Sequence, residues 1–297
     1  MKEETYQNEE QWLDARQSGI GGSDAAAVLG LSPFETPLSV YARKRGLVPE
    51  TEETAPMRFG KLLEPIIADE YVRETGRTLR DPGRYTIARS EDLPYLFATL
   101  DREIVTAEGK TSLPVPLEIK STNAFRADDW LEEAPPHVQI QGQHQLLVTG
   151  RAWMSFAVLI GGADFRWIDM DMNIKFITLM RERLAAFWRR VELGDPPPPS
   201  AEDKEILVAL YPRATPGTSV DLPALAATWD ADRDVAVAEI GKWMRIKDQS
   251  EAQIKAAIGE AEAGVLPDGG RYTWRTIERA EYVAGATSYR QLRRLKK

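Results

Sequence analysis

An α/β chain with a mainly helical C-terminal extension is predicted by three features of the 297-residue sequence. Strand-like segments cluster between residues 84 and 120 and again between 153 and 172, and the second cluster reads as a hairpin around a GGAD turn. Apolar residues recur at helical spacing over 58–76 and 173–191. Four successive prolines at 196–199 then break the pattern, which sets a first domain at 1–199 and an extension at 200–297.

Taken in order, residues 1–18 are polar, with Trp12 and Leu13 as apolar anchors, and a short helix ending near Ser18 is expected. The stretch GIGGSDAAAVLGLSP follows. Its glycines let the backbone approach a ligand, and Ser23 or Asp24 is expected to cap a helix over AAAVLG, making an anion site to which Arg16 can add a charge. TPLSVYARKRG has proline in its first turn and glycine past its end, so it reads as a helix. In the next helix Phe59, Leu62, Leu63, Ile66, Ile67 and Tyr71 form the expected buried stripe and Gly76 the stop, while Pro65 starts a new segment or kinks a longer one beside Glu64.

Strands are expected at about 84–88 and 95–105, then at LEIK after a turn at Gly109. Alternation on the LEIK strand sends Leu117, Ile119 and Ser121 to one side and Glu118 and Lys120 to the other. If the preceding strand pairs with it, Asp101 comes close to Glu118. Two carboxylates and an ammonium in one pocket suit a hard divalent cation and a phosphodiester. The segment ADDWLEEA carries possible helical content, and HVQIQGQHQLLVTG reads as a helix with Gln141 and Gln145 on one face and Gln143 turned away. Residues 173–191 bury Ile177, Met180, Leu184, Phe187 and Val191. Beyond the prolines come a long helical pattern over 222–263, a strand-like RYTWRTIER and the basic tail YRQLRRLKK.

Composition narrows the chemistry. The absence of cysteine excludes disulfides, thiolate nucleophiles and Cys-ligated metals, and His137 and His144 are too few for a histidine-rich centre. With no leader and no apolar run of membrane length, a soluble cytoplasmic protein without membrane association is expected. A formal net charge of −8 argues against a general nucleic-acid coat protein but not against an enzyme that gathers its basic residues locally.

In combination, GIGGSDAAAVLGLSPFETPL, FGKLLEP, TLD, LEIKST and QGQHQLLVTG occur in series over roughly residues 16–195. The chain thereby resembles the YqaJ-type phage recombinases, relatives of lambda exonuclease within the PD-(D/E)xK nuclease superfamily. That resemblance implies a mixed central β-sheet flanked by helices. It implies Asp101 and Glu118 as ligands for Mg²⁺, with Mn²⁺ as a substitute, Lys120 as the catalytic lysine, Glu64 as an upstream acidic residue and Gln141 as the site glutamine. Arg16 and Ser23 match residues that recognise a 5′ phosphate, and Thr99 stands at a serine position of the same role. Leu100 replaces the superfamily's proline before the first aspartate. The implied activity is 5′-to-3′ digestion of linear duplex DNA by a ring-shaped trimer, leaving 3′ single strands for an annealing protein in phage-type recombination. An endonuclease or nickase on the same core and an inactive DNA-end-binding protein are the alternatives; a helical adaptor built on residues 222–263 leaves the first 195 unexplained.

Overall fold

The structure is a computed structural model, and it describes all residues except 50–52, 110–113, 279–291 and 293–297. Most of the basic tail therefore lies outside the described residues. The chain divides into two compact units, Met1–Pro212 and Arg213–Lys297.

In the first unit the order is β1 (Lys2–Thr5), α1 (Glu9–Gln17), α2 (Gly22–Val28), α3 (Pro37–Lys44), α4 (Ala55–Thr75), β2 (Thr78–Arg80), β3 (Thr86–Arg89), β4 (Phe97–Ala98), β5 (Arg102–Thr106) and β6 (Val115–Thr122). A 3-10 helix (Ala124–Trp130), α5 (Pro136–Thr149), β7 (Trp153–Ile160), β8 (Asp164–Asp171), α6 (Ile174–Leu193), a 3-10 turn (Ala201–Asp203) and α7 (Lys204–Leu210) complete it. The unit thus runs on past the prolines, and Asp203 is buried where it accepts a hydrogen bond from the Thr36 hydroxyl.

The central sheet has the order β2-β5-β6-β7-β8 and is mixed, with β6 and β7 parallel and the other pairs antiparallel. A parallel pair needs a crossover. Here the 3-10 helix and α5 supply it between β6 and β7. One face of the sheet packs Ile104, Leu117, Ile119 and Ala157 against Ile67, Ala68 and Tyr71 of α4. The opposite face packs Met154, Phe156 and Val158 with residues of α2, α5 and α6. The expected mixed sheet flanked by helices is what the chain forms. A smaller sheet, β1-β3-β4, lies apart, and β1 was not foreseen because KEET has no apolar alternation.

The helix of residues 173–191 folds as its spacing requires, with Ile177, Met180, Leu184, Phe187 and Val191 buried. α4 continues as one long helix through Pro65, so no new segment starts there. It departs from expectation in its stripe: only Ile67 and Tyr71 are buried, with Leu63 partly so, while Phe59, Leu62 and Ile66 are more than half exposed. A helix resting on a sheet buries a narrow strip, and here that strip is centred on 67, 68 and 71.

Gly142 sets how close α5 lies to the sheet. A Cβ there would come within 2.6 Å of Met154 Sδ and Phe156 Cζ and 2.7 Å of Met170 Cε. Gly142→Ala is therefore expected to lower stability by up to about 2 kcal/mol, overpacking of ~1–3 kcal/mol being offset in part by a helix-propensity gain of ~1 kcal/mol. Denaturant melts check it, and a stabilised variant would show that the sheet gives way.

The second unit contains α8 (Ala226–Ile258), with no buried residue, and a short antiparallel pair, β9 (Ala263–Val265) and β10 (Arg271–Thr273). The expected long helix is present within 222–263, and of the strand-like RYTWRTIER only Arg271–Thr273 forms a strand, Trp274 and Arg275 lying outside it.

Candidate active site

β5 and β6 form the site by their pairing. Arg102 opposes Leu117 and Glu103 opposes Pro116, so Asp101, at the entry to β5, lies beside β6 where Glu118 sits. Asp101 Oδ2 accepts a hydrogen bond of 2.7 Å from the Ile119 amide, which fixes the carboxylate. Alternation puts Leu117 and Ile119 into the core under α4 and turns Glu118 and Lys120 toward α5.

Glu118 is buried and heavily bonded. Its Oε1 accepts from Lys120 Nζ at 2.6 Å and from Gln141 Nε2 at 2.6 Å, and its Oε2 accepts from Gln145 Nε2 at 2.5 Å. Lys120 Nζ also donates to Gln141 Oε1 at 3.0 Å. Gln141 and Gln145 reach one carboxylate because four residues make about one helical turn. Gln143 faces elsewhere, donating to the Asp171 carbonyl and accepting from the Asn173 amide.

The charges are under tension. Burial pushes the Asp101 carboxyl well above the usual carboxylate range, Glu118 and Glu64 add to the effect, and Lys120 and the Ile119 amide oppose it. For Lys120, burial works downward, but the Glu118 and Asp101 carboxylates outweigh it and raise the ammonium above its ordinary value. Glu64 contributes by field rather than by joining the pair: it takes a 2.5 Å salt bridge from Arg102.

A hard divalent cation fits these residues. Both carboxylates offer oxygen, and the repulsion that raises Asp101 is what a cation between them relieves. Among the described residues no group of three or more His, Asp or Glu is arranged to hold a metal. Two carboxylates with water and phosphate completing the shell is the pattern Mg²⁺ accepts.

Arg16 and Thr99 also come together. Arg16 Nη1 donates to Thr99 Oγ1 at 3.5 Å, with its guanidinium over the Trp12 ring at 4.6 Å. Thr99 precedes Asp101 by two residues, at most about 7 Å of chain. Ser23 is exposed in the first turn of α2. It is not the cap, and neither is Asp24: Gly21 occupies that position, and Asp24 reaches back from the third helical position to accept from the Gly21 amide at 2.9 Å. The glycine turn lies against the site helix, since a Cβ on Gly22 would meet Gln141 Cγ at 3.0 Å.

Sequence reasoning left several of these partners unassigned. Gln145 was visible by its i,i+4 spacing from Gln141 but was given no role. Asp24 is wholly buried and held well below the carboxylate range, burial being outweighed by Lys44 and Arg43. Lys44 lies in the basic end of α3, where nothing local in the sequence announces its burial.

His144, wholly buried in α5, has its pKa lowered to about 4 by burial. A depressed folded pKa gives stability that is complete above the unfolded value of 6.5 and is lost as pH falls toward 4. The loss attributable to His144 is expected to reach about 3 kcal/mol. It is read as the difference between wild type and His144→Leu in denaturant melts from pH 7 to 4; parallel profiles would refute it. Asp101 acts with the opposite sign, its raised pKa favouring the cation-free fold as pH falls, so only the difference is informative.

Comparison with known proteins bears on this site. Residues 11–152 match the family described as the YqaJ-like viral recombinase domain. The chain is 32% identical over 274 residues to the Bacillus subtilis protein YqaJ, covering 86% of this chain and 80% of that protein. A shorter match, 32% over 69 residues, links it to protein D345L of African swine fever virus, covering 23% of this chain and 20% of that one. Among solved structures, the alkaline exonuclease of Laribacter hongkongensis superposes with a TM-score of 0.52 at 21% identity, over 63% of this chain and 94% of that one. Its complex with dAMP gives 0.51 at 20% identity, with the same coverage of each chain. At that identity the likeness is one of fold, and the described helices include none long and apolar enough to cross a membrane. The matched residues contain the glycine turn, Asp101, the LEIK strand and the glutamine helix, and the B. subtilis match extends over most of the chain: this protein belongs to the YqaJ-like viral recombinase family.

Proposed function

We propose that the chain is a Mg²⁺-dependent exonuclease that digests linear duplex DNA from 5′-phosphorylated ends and leaves 3′ single strands. The observation that carries the reading is the pairing of Asp101 and Glu118 with Lys120 held on Glu118 and Gln141. The exonuclease fold of the Laribacter structures supports it, as does dAMP in one of them.

Asp101 and Glu118 would hold the cation, which supplies when bound neutralisation of phosphate charge and a more acidic water. Mn²⁺ would substitute, since oxygen donors suit both ions. An ammonium has three donors. Lys120 commits donors to Glu118 Oε1 and Gln141 Oε1, and what remains serves the attacking water or a phosphate oxygen as charge develops. Gln141 and Gln145 keep Glu118 in one orientation, so its acceptor directions are fixed before substrate arrives. Glu64 adds negative field at the pair. Arg16 and Thr99, with Ser23 at the rim, would receive the terminal 5′ phosphate. The short span from Thr99 to Asp101 then suits release of one nucleotide at a time.

The wider setting rests on family resemblance. It comprises a homotrimeric ring around DNA, hand-over of the 3′ strand to a single-strand annealing protein, phage-type recombination, and work in the cytoplasm of a bacterial host, the chain being of phage or prophage origin. The nuclease domain proper would be residues 1–199, with 200–297 an extension.

Linear and covalently closed circular duplexes, incubated with Mg²⁺ or EDTA, test the reading. Mg²⁺-dependent loss of linear DNA with circles spared is expected. Cut circles would mean an endonuclease or nickase, and end binding without cleavage would mean an inactive end-binding protein.

A further inference from the structure

Asp24 and Lys44 are buried charges outside the hydrolytic site. Asp24 Oδ1 accepts from Arg43 Nη2 at 2.9 Å, and Asp24 Oδ2 accepts from the Gly21 amide at 2.9 Å and lies 2.8 Å from Lys44 Nζ. The Lys44 side chain, only 1% exposed, donates onward to the Arg16 carbonyl at 2.8 Å. One unbroken chain of polar contacts therefore runs from the glycine turn through Asp24 and Lys44 to the last turn of α1.

The same turn is clamped on its other side. Ile20 N donates to the Tyr95 carbonyl at 2.7 Å and Phe97 N to the Ile20 carbonyl at 3.1 Å, two residues before Thr99. Lys44 Nζ lies 5.5 Å, and Arg16 Cζ 5.7 Å, from the Phe97 ring. Arg16 and Thr99 thus stand on separate segments, and the Asp24–Lys44 pair ties one to the other. Burying two charges is costly, and an apolar pair of like volume often stabilises a fold as well. What an apolar pair cannot do is hold the Gly21 amide and the Arg16 carbonyl at fixed positions.

We propose that Asp24 and Lys44 are positioning residues for recognition of the 5′-terminal phosphate, setting the backbone from which Arg16 reaches Thr99. The proposal rests on the reading of Arg16 and Thr99 as the phosphate pocket. Its effect is on selectivity between ends: correct placement of the guanidinium is worth one charge-assisted hydrogen bond, and its loss reduces the preference for phosphorylated over hydroxyl ends by about tenfold or more.

The test uses the full chain with Mg²⁺ and linear duplexes ending in 5′ phosphate or 5′ hydroxyl, measuring kcat and KM for each. The double variant Asp24→Asn/Lys44→Met removes both charges together and leaves Arg43 its contact with Glu35. Lys44→Met, which keeps Asp24 on Arg43, is read in its place if the double variant melts below the assay temperature. Arg16→Ala is the control. Loss of the phosphate-to-hydroxyl ratio of kcat/KM in both Arg16→Ala and the pair variant supports the proposal, because general loosening lowers both ends alike. A folded pair variant that keeps the wild-type ratio while Arg16→Ala loses it overturns the positioning role. A preference absent from wild type, or retained by Arg16→Ala, refutes the phosphate-pocket reading and the proposal with it.

Discussion

Lys120→Ala is expected to lower DNA hydrolysis by about 10²–10⁴-fold, the range for removing a positioned proton donor or a charge that faces the transition state. The structure explains why no neighbour replaces it. Gln141 already donates to Glu118 and accepts from Lys120, and Gln145 is committed to the second Glu118 oxygen. Binding to DNA ends should survive, since Arg16 and Thr99 lie on other segments, so the loss falls on kcat. Single-turnover rates with a separate end-binding assay check both statements. A variant losing less than about tenfold in rate would remove Lys120 from the reaction.

Asp24→Ala is expected to be the most damaging single change to stability outside the hydrophobic core. It strips the partner from Lys44, whose ammonium is buried and already pulled below its ordinary pKa because burial outweighs the pull of Asp24. Breaking a buried pair on one side costs about 3–5 kcal/mol. For a unit of this size that is a fall in Tm of roughly 6–20 °C. Calorimetry on wild type, Asp24→Ala and Asp24→Ala/Lys44→Met separates the causes. The double variant should recover part of the loss, because an uncompensated charge, not a missing contact, is the main defect. Equal melting temperatures for the two variants would contradict that.

How much of this was legible before the fold depended on how local each signal was. The α6 stripe was read correctly because five large apolar residues at helical spacing leave one face to bury. The pair of Asp101 and Glu118 was legible because strand alternation and a short connection nearly determine the register. Gln141 and Gln145 shared a face by spacing alone, and the structure shows that both amides on that face donate to Glu118. What failed was what depends on the third dimension. Phe59, Leu62 and Ile66 have the spacing of a buried stripe, yet α4 leans on the sheet with the strip one position over. Asp24 was read as a candidate cap from its place before AAAVLG, whereas its carboxylate serves Gly21, Arg43 and Lys44. Lys44 lies in a basic run, and only the packing of α3 against the glycine turn turns it inward.

The most direct single measurement is the identity of the first product released from a linear duplex labelled at its 5′ phosphate, in Mg²⁺. Mononucleotide 5′-phosphate from wild type, with none from Asp101→Asn or Lys120→Ala, is the result this account predicts. Label retained on the DNA while the opposite end is shortened, or release by the two variants at the wild-type rate, would contradict it.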